Sequence, residues 1–324
     1  MTNTSTKAQD NGKNKHKDND EIPSNFVAKL WVGIYRSLPV IHFPFTKLNI
    51  SMSLLGATFL WTCRIISYHI LVRIFGWPSD NQKSHEAVGS IIAILHSTSI
   101  LPGLAVALAS QPYRPSSHIT TAPQWWQHLV SALMQFCTGY MVYDSLASFL
   151  ILKGPSNLVA SDFLFLGHHF ATSLYMTQTR VLQAGHTSAM ICMFLGELTN
   201  PFQNSYYVSQ HAMEFECCSG PWMQQFHDFV AMGFAYSYFC MRVIIAPLFF
   251  VHVTGDLLLS KTRTNIPVLI RFFWIFMIWA VEVGSYDWIM QCWTMIQQFQ
   301  GISGTTEGAD DKNTATTTQA GAEL

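Results

Sequence analysis

Charged residues are scarce in this chain. Only 11% of its 324 residues are Asp, Glu, Lys or Arg, whereas a soluble domain carries about a quarter. Thirteen of them lie in the polar ends, at positions 1–24 and 301–324, which leaves 24 for the 276 residues between. Because so few charges do not cover a globular surface, the composition excludes a soluble enzyme and predicts that the middle of the chain faces lipid.

Three other signals are missing. The net charge is −1 with no basic patch, which argues against nucleic acid as a partner. The seven cysteines, at positions 63, 137, 192, 217, 218, 240 and 292, form neither a disulfide framework nor a paired CxxC pattern, so we interpret them as packing residues. Cys217, Cys218, His211 and His227 lie near one loop at irregular spacing, which indicates a plain loop. We therefore predict no metal site and no resident cofactor.

The two ends differ from the middle. Residues 1–24 are polar and mixed in sign, and residues 301–324 are poor in apolar side chains, so both are predicted to be disordered tails. Residues 25–47 carry apolar side chains at helical spacing, which predicts an amphipathic segment lying in the membrane interface. The first long apolar run begins at Ser51. This favours the first spanning helix, rather than a cleaved signal peptide, as the targeting signal, and makes the endoplasmic reticulum the expected membrane.

Seven apolar runs are long enough to cross a bilayer. They are 51–75, 87–109, 129–152, 163–179, 184–207, 229–253 and 268–293, within a transmembrane domain of 51–298. Pro201 interrupts the fifth run and predicts a kink there. Eight Lys and Arg residues flank the spans on the side of the N-terminus and four on the other side, so the N-terminus is predicted to be cytosolic.

A small set of ionisable residues lies inside these spans, where each costs about 2.5–3.5 kcal/mol to insert and usually faces the bundle interior. They are His96, Asp144, His168, His169, Glu197 and Arg242. At a rise of about 1.5 Å per residue, all six lie about 8 to 20 Å from the face that carries the loops 76–86, 153–162 and 208–228. They therefore share one half of the membrane.

This polar level has two interpretations. In the first, it is a structural knot in which Arg242 neutralises Glu197 or Asp144. In the second, it lines a cavity in which an imidazole exchanges protons and Arg242 holds a phosphate or carboxylate head group. Glu282 and Asp287, near the end of the last span, are interpreted as markers of a bend or of the interface.

Four of these segments carry a resemblance to a known family. GYMVYD (139–144), GHHFATSLY (167–175), GELTNPFQN (196–204) and the membrane arginine Arg242 before Pro247 resemble the TLC-domain family, over about 61–297. The resemblance implies an all-α polytopic membrane protein of the endoplasmic reticulum, with a six-helix bundle of two inverted three-helix halves. The ceramide-synthase branch follows its histidine pair with an HDxxD-type motif. This chain instead has His186-Thr187-Ser188 and then ELTNPF at 197–202, which resembles the non-synthase branch.

Two functions follow as hypotheses. The first is a membrane protein of lipid homeostasis that binds a lipid or acyl chain through His96, Asp144, His168, Glu197 and Arg242. The second is an acyltransferase in which His168 or His169 acts as general base and Asp144 or Glu197 orients it, with acyl-CoA as co-substrate. The predicted orientation weakens the second, because acyl-CoA is cytosolic and the polar level lies toward the opposite face. A cargo receptor or translocation accessory ranks third. Membrane lipids are the expected partners, and the sequence names no protein partner.

Overall fold

The chain folds almost entirely into helices. A computed structural model describes residues 24–110, 114–153, 160–215 and 218–301; the tails predicted at 1–24 and 301–324 lie almost wholly outside this part. Within it, no strand is present beyond two isolated bridges, His42 with Asn49 and His118 with Ala184. The α-helices are α1 (Phe26–Ser37), α2 (Ser51–Arg73), α3 (Gln82–Ser110), α4 (Gln124–Ala147), α5 (Ala160–Leu182), α6 (His186–Glu197), α7 (Asn200–Met213), α8 (Pro221–Cys240), α9 (Ala246–Leu259), α10 (Val268–Gly284) and α11 (Tyr286–Phe299).

The helices cover all seven predicted spans. Four helical stretches in the described part are long and apolar enough to cross a membrane, namely Ser51–Arg73, Gln82–Ser110, Pro221–Leu259 and Val268–Phe299. The third, fourth and fifth predicted runs correspond to α4, α5 and the pair α6 and α7. Large apolar side chains such as Leu259 (80% exposed) and Leu269 (83% exposed) point outward, where a soluble protein would place charge. The all-α polytopic membrane fold is therefore confirmed.

The segment predicted to lie in the interface forms α1. Its first turn is capped by Asn25, whose Oδ1 accepts hydrogen bonds from the backbone N–H groups of Val27 and Ala28 at 2.9 and 3.2 Å. Trp31 packs edge-on against Phe136 of α4, with ring centroids 5.3 Å apart. One face of α1 is thus bound to the bundle.

The centre of the bundle is α4, most of whose side chains are buried. It packs against α2 at Gly139, where an added Cβ would lie 2.3 Å from the backbone oxygen of Ser53. Trp126 ties α4 to α3 by donating its indole N–H to the backbone oxygen of Ala107 at 2.9 Å. Because α4 contacts both helices through close packing, its polar side chains have fixed positions.

The fifth predicted run is broken as the sequence indicates. α6 ends at Glu197, Leu198 and Thr199 separate the two helices, and α7 begins at Asn200 with Pro201 in its first turn. Proline is tolerated in the first turn because its missing N–H would have no helical partner there. The break places Glu197 at a helix end inside the bundle, next to the first residue of α7.

Two helices contain turns of π-helix, which the sequence pattern does not predict. Ser148–Lys153 follows α4, and Met241–Ile245 joins α8 to α9. The second contains Arg242. A π-turn accommodates one extra residue and is frequent at functional sites, so it fixes the direction in which the arginine leaves the helix.

Candidate functional site

A buried histidine and a buried glutamate meet between α3 and α6. His96 is fully buried and Glu197 is 5% exposed. The Nδ1 atom of His96 lies 3.4 Å from Oε2 of Glu197. The same Oε2 accepts hydrogen bonds from the Ser97 hydroxyl at 2.6 Å and from the Asn200 side-chain amide at 2.9 Å. A carboxylate with this many donors is held in one orientation.

Tyr140 of α4 connects this pair to a second one. Its ring stacks on His96, with centroids 3.9 Å apart and planes 10° from parallel, and its hydroxyl donates to Oδ2 of Asp144 at 3.4 Å. That carboxylate oxygen also faces Nε2 of His169 at 3.8 Å, while Nδ1 of His169 lies 3.4 Å from the Ser145 hydroxyl. His96, Glu197, Tyr140, Asp144 and His169 therefore form one connected polar network.

The two adjacent histidines of α5 have different surroundings. His169 is 6% exposed and packs against Phe165 at a centroid distance of 4.0 Å. His168 is exposed, yet it lies within electrostatic range of both Arg242 and Glu197. His169 is thus part of the buried network, and His168 is the imidazole at its accessible edge.

Arg242 does not contact either acid of the network. Its Nη1 lies 3.8 Å from Oε2 of Glu282 on α10, and its guanidinium sits over the Tyr238 ring, 5.4 Å from the centroid. The hypothesis that Arg242 neutralises Glu197 or Asp144 by direct contact is therefore wrong: its ion-pair partner is Glu282. Glu282, interpreted from sequence as a marker of a bend or the interface, faces inward, because α10 turns that side toward the π-turn that carries Arg242.

Arg64 of α2 is a buried charge that the sequence-based selection missed. This residue is 4% exposed, donates to the backbone oxygen of His85 at 3.3 Å, and lies within electrostatic range of Tyr143 and Asp144. Arg64 stands within the first predicted span, so its charge alone predicts an inward-facing position, as for the other six. Tyr140, Ser97 and Asn200 carried no comparable signal, since uncharged polar residues are common in membrane helices.

Among the described residues, a groove and a shallow depression on the surface lie outside the network. One, of about 500 Å³, is an apolar groove on α10 lined by Ile275, Phe276, Trp279, Ala280, Val283 and Gly284. Its last two residues directly follow Glu282, the partner of Arg242. The other, of about 350 Å³, is lined by polar residues that include Arg114, His252, Asp256 and Ser260. Both are open to the surroundings, the groove being apolar and the second depression partly polar.

The structure thus brings His96, Asp144, His169 and Glu197 of the predicted site into one network. It leaves His168 at the edge and Arg242 in a neighbouring ion pair.

Comparison with known proteins identifies the family. The sequence model of the family described as the TLC domain matches residues 86–297. The chain therefore belongs to the TLC-domain family. It is also 24% identical, over 238 residues, to a TLC domain-containing protein of Arabidopsis thaliana, a match that covers 72% of this chain and 84% of that protein. No solved structure matches significantly. The assignment to the non-synthase branch stays a prediction.

Proposed function

We propose that this protein is a multi-pass membrane protein of lipid homeostasis, in the endoplasmic reticulum, that binds a lipid or acyl chain at its intramembrane polar network. The observation that carries the proposal is the position of His168. The exposed side chain of His168 adjoins the buried His169 in sequence and lies within electrostatic range of both Arg242 and Glu197. A head group at His168 would be in the electrostatic range of an acid and of a guanidinium.

The cost of the network supports a binding role. Each ionisable group inside a bilayer costs about 2.5–3.5 kcal/mol on insertion scales, and this chain places His96, Asp144, His169 and Glu197 together with Arg242 nearby. The carboxylates and imidazoles offer acceptors and donors for an amine or hydroxyl, and Arg242 offers a charge for a phosphate or carboxylate.

The apolar groove on α10 provides a place for the acyl chain. It begins beside Glu282 and follows α10 for about two and a half turns, from Gly284 back to Ile275. Its lining is almost entirely apolar. A lipid with its tail in this groove would bring its head toward the ion pair of Arg242 and Glu282.

Lipid profiling tests the proposal. The full-length protein is purified in mild detergent, and its co-extracted lipids are compared with those of the membrane by mass spectrometry. We expect one lipid class to be enriched and the enrichment to fall at least fivefold in His168→Ala and Arg242→Ala. The matched controls are His42→Ala and Arg73→Ala, which remove the same side chains from exposed positions away from the network. The proposal would be refuted if all four variants showed the same lipid enrichment, or if the native protein enriched no lipid class.

A second candidate, an acyl-CoA-dependent acyltransferase, draws support from the pair of His169 and Asp144. The 3.8 Å separation of Nε2 and Oδ2 is compatible with a carboxylate that orients an imidazole base, since such contacts are often long before substrate binds. In this version Asp144 orients His169, which accepts the proton of the substrate amine or hydroxyl, and His168 helps to hold that substrate beside it.

Two measurements separate the candidates. Reporter tags establish which side of the membrane carries the loop after α4, and an assay with acyl-CoA and a sphingoid base detects product. A cytosolic loop and product formation that is lost in His168→Ala would favour the transferase. A loop on the opposite side and no product would eliminate it and leave the lipid-binding proposal standing.

A further inference from the structure

The buried side of the network contains three side chains that ligate metals. A ring nitrogen of His96, the thiol sulfur of Cys137 and a carboxylate oxygen of Glu197 all lie within 4.8 Å of one another. The residues come from α3, α4 and α6, and they are 0%, 1% and 5% exposed. No other such group of three occurs in the part of the chain that the structure describes.

The histidine of this group is unsatisfied. Both ring nitrogens of His96 are buried, and neither makes a hydrogen bond of normal geometry among the described residues; Nδ1 makes only a long contact, 3.4 Å, with Oε2 of Glu197. Buried polar atoms in native proteins nearly always have a partner, and an exception calls for an explanation such as an ion. Tyr140 and Phe136 stack on the ring, so its orientation is fixed while Nε2 is without a hydrogen-bond partner among the described residues.

We propose that His96, Cys137 and Glu197 bind a divalent zinc ion inside the bundle. A set of one nitrogen, one sulfur and one carboxylate oxygen matches zinc and is poorly suited to magnesium or calcium, which prefer all-oxygen sites. With bonds of about 2.0–2.3 Å, tetrahedral zinc holds its ligand atoms about 3.3–3.8 Å apart. His96 Nδ1 and Glu197 Oε2 already lie at such a separation, 3.4 Å, and all three ligand atoms lie within 4.8 Å of one another, so the Cys137 thiol is the ligand that would adjust on binding.

Charge balance also favours the ion. Binding releases the thiol proton of Cys137, and the resulting thiolate and the Glu197 carboxylate together carry two negative charges that the ion neutralises. The site then adds no net charge to the low-dielectric interior. Ser97 and Asn200 donate to the same carboxylate, which is the role of groups that orient a metal ligand. Three protein ligands leave a fourth position open.

Cobalt substitution tests this site directly. The full-length protein is purified through a tag without histidines, stripped with a chelator and titrated with Co²⁺, whose thiolate complexes give a charge-transfer band in the near ultraviolet. Metal analysis of zinc-loaded protein should find about one zinc per chain. We expect the cobalt band in the native protein and in Cys292→Ser, a substitution of another buried cysteine. Cys137→Ser should lose the band, and Glu197→Gln should bind cobalt at least tenfold more weakly.

The spectrum of the native protein decides the question even if a variant fails to fold. No thiolate band on cobalt addition to the monodisperse native protein would overturn the proposal, as would a band that survives in folded Cys137→Ser. The zinc site shares His96 and Glu197 with the polar network, but the cobalt readout contains no lipid. Failure here would therefore leave the proposed function untouched.

Discussion

Gly139 offers a sharp test of how the bundle holds its polar network. It lies in α4 one residue before Tyr140, the residue that joins the two polar pairs. A Cβ at this position would lie 2.3 Å from the Ser53 oxygen and 3.0 Å from its carbonyl carbon. Both are backbone atoms of α2, so no change of rotamer relieves the overlap.

Two opposing effects determine how Gly139→Ala changes the free energy of unfolding. Alanine gains about 1 kcal/mol over glycine in a helix interior, whereas over-packing costs about 1–3 kcal/mol. Because the obstacle is backbone, we take the upper part of that range and expect a net loss of about 1–2 kcal/mol. At about 2–4 °C per kcal/mol, the midpoint of thermal unfolding should fall by about 2–8 °C.

The assay heats detergent-solubilised protein and measures the monodisperse fraction by size-exclusion chromatography. Gly33→Ala is the matched control, since Gly33 lies in the middle of α1 with no atom within 4 Å of its added Cβ. We expect that control to be unchanged or slightly more stable. A Gly139→Ala protein at least as stable as the native chain would refute the close approach of α2 and α4.

Two further outcomes are expected. Glu282→Gln should lower the free energy of unfolding by about 3 kcal/mol, because it leaves the largely buried Arg242 guanidinium without its acid. The double variant Arg242→Met with Glu282→Leu should recover most of that stability. Additive losses in the double variant would contradict the pairing. Burial lowers the pKa of His211, an effect opposed by Glu86 and Glu214 and reinforced by Lys83. At low pH the unfolded chain therefore binds a proton that the folded chain does not, so the midpoint temperature of unfolding should fall as the pH drops below about 6.5. An equally steep fall in His211→Gln would rule out His211 as the cause.

Much of the fold and part of the site follow from the sequence. Hydropathy locates the spans because a bilayer forces backbone groups into helices, and Pro201 marks the break after Glu197. The helical rise gives His96, Asp144, His169 and Glu197 a shared depth, and in the structure these four lie in contact or linked through Tyr140, since ionisable groups avoid lipid.

The partners of these residues depend on features that depth does not encode. Arg242 contacts Glu282 because of how α10 is rotated, and the apolar composition of α10 constrains that rotation weakly. His168 and His169 are adjacent in sequence, and which of them faces inward depends on the roll of α5. Cys137 carries the signature of a packing residue, and its proximity to His96 exists only once α3 and α4 are docked.

The π-turn at Met241–Ile245 has a consequence for relatives of this protein. Such a turn arises when one residue is inserted into an α-helix, so deletion of a single residue there would restore regular winding and rotate α8 by about 100° relative to α9. A homologue with a one-residue gap in this stretch would aim its arginine away from α10. In an alignment, a gap in this short segment would then show that a homologue has lost the contact between the guanidinium and its acid, even where the rest of the sequence is similar.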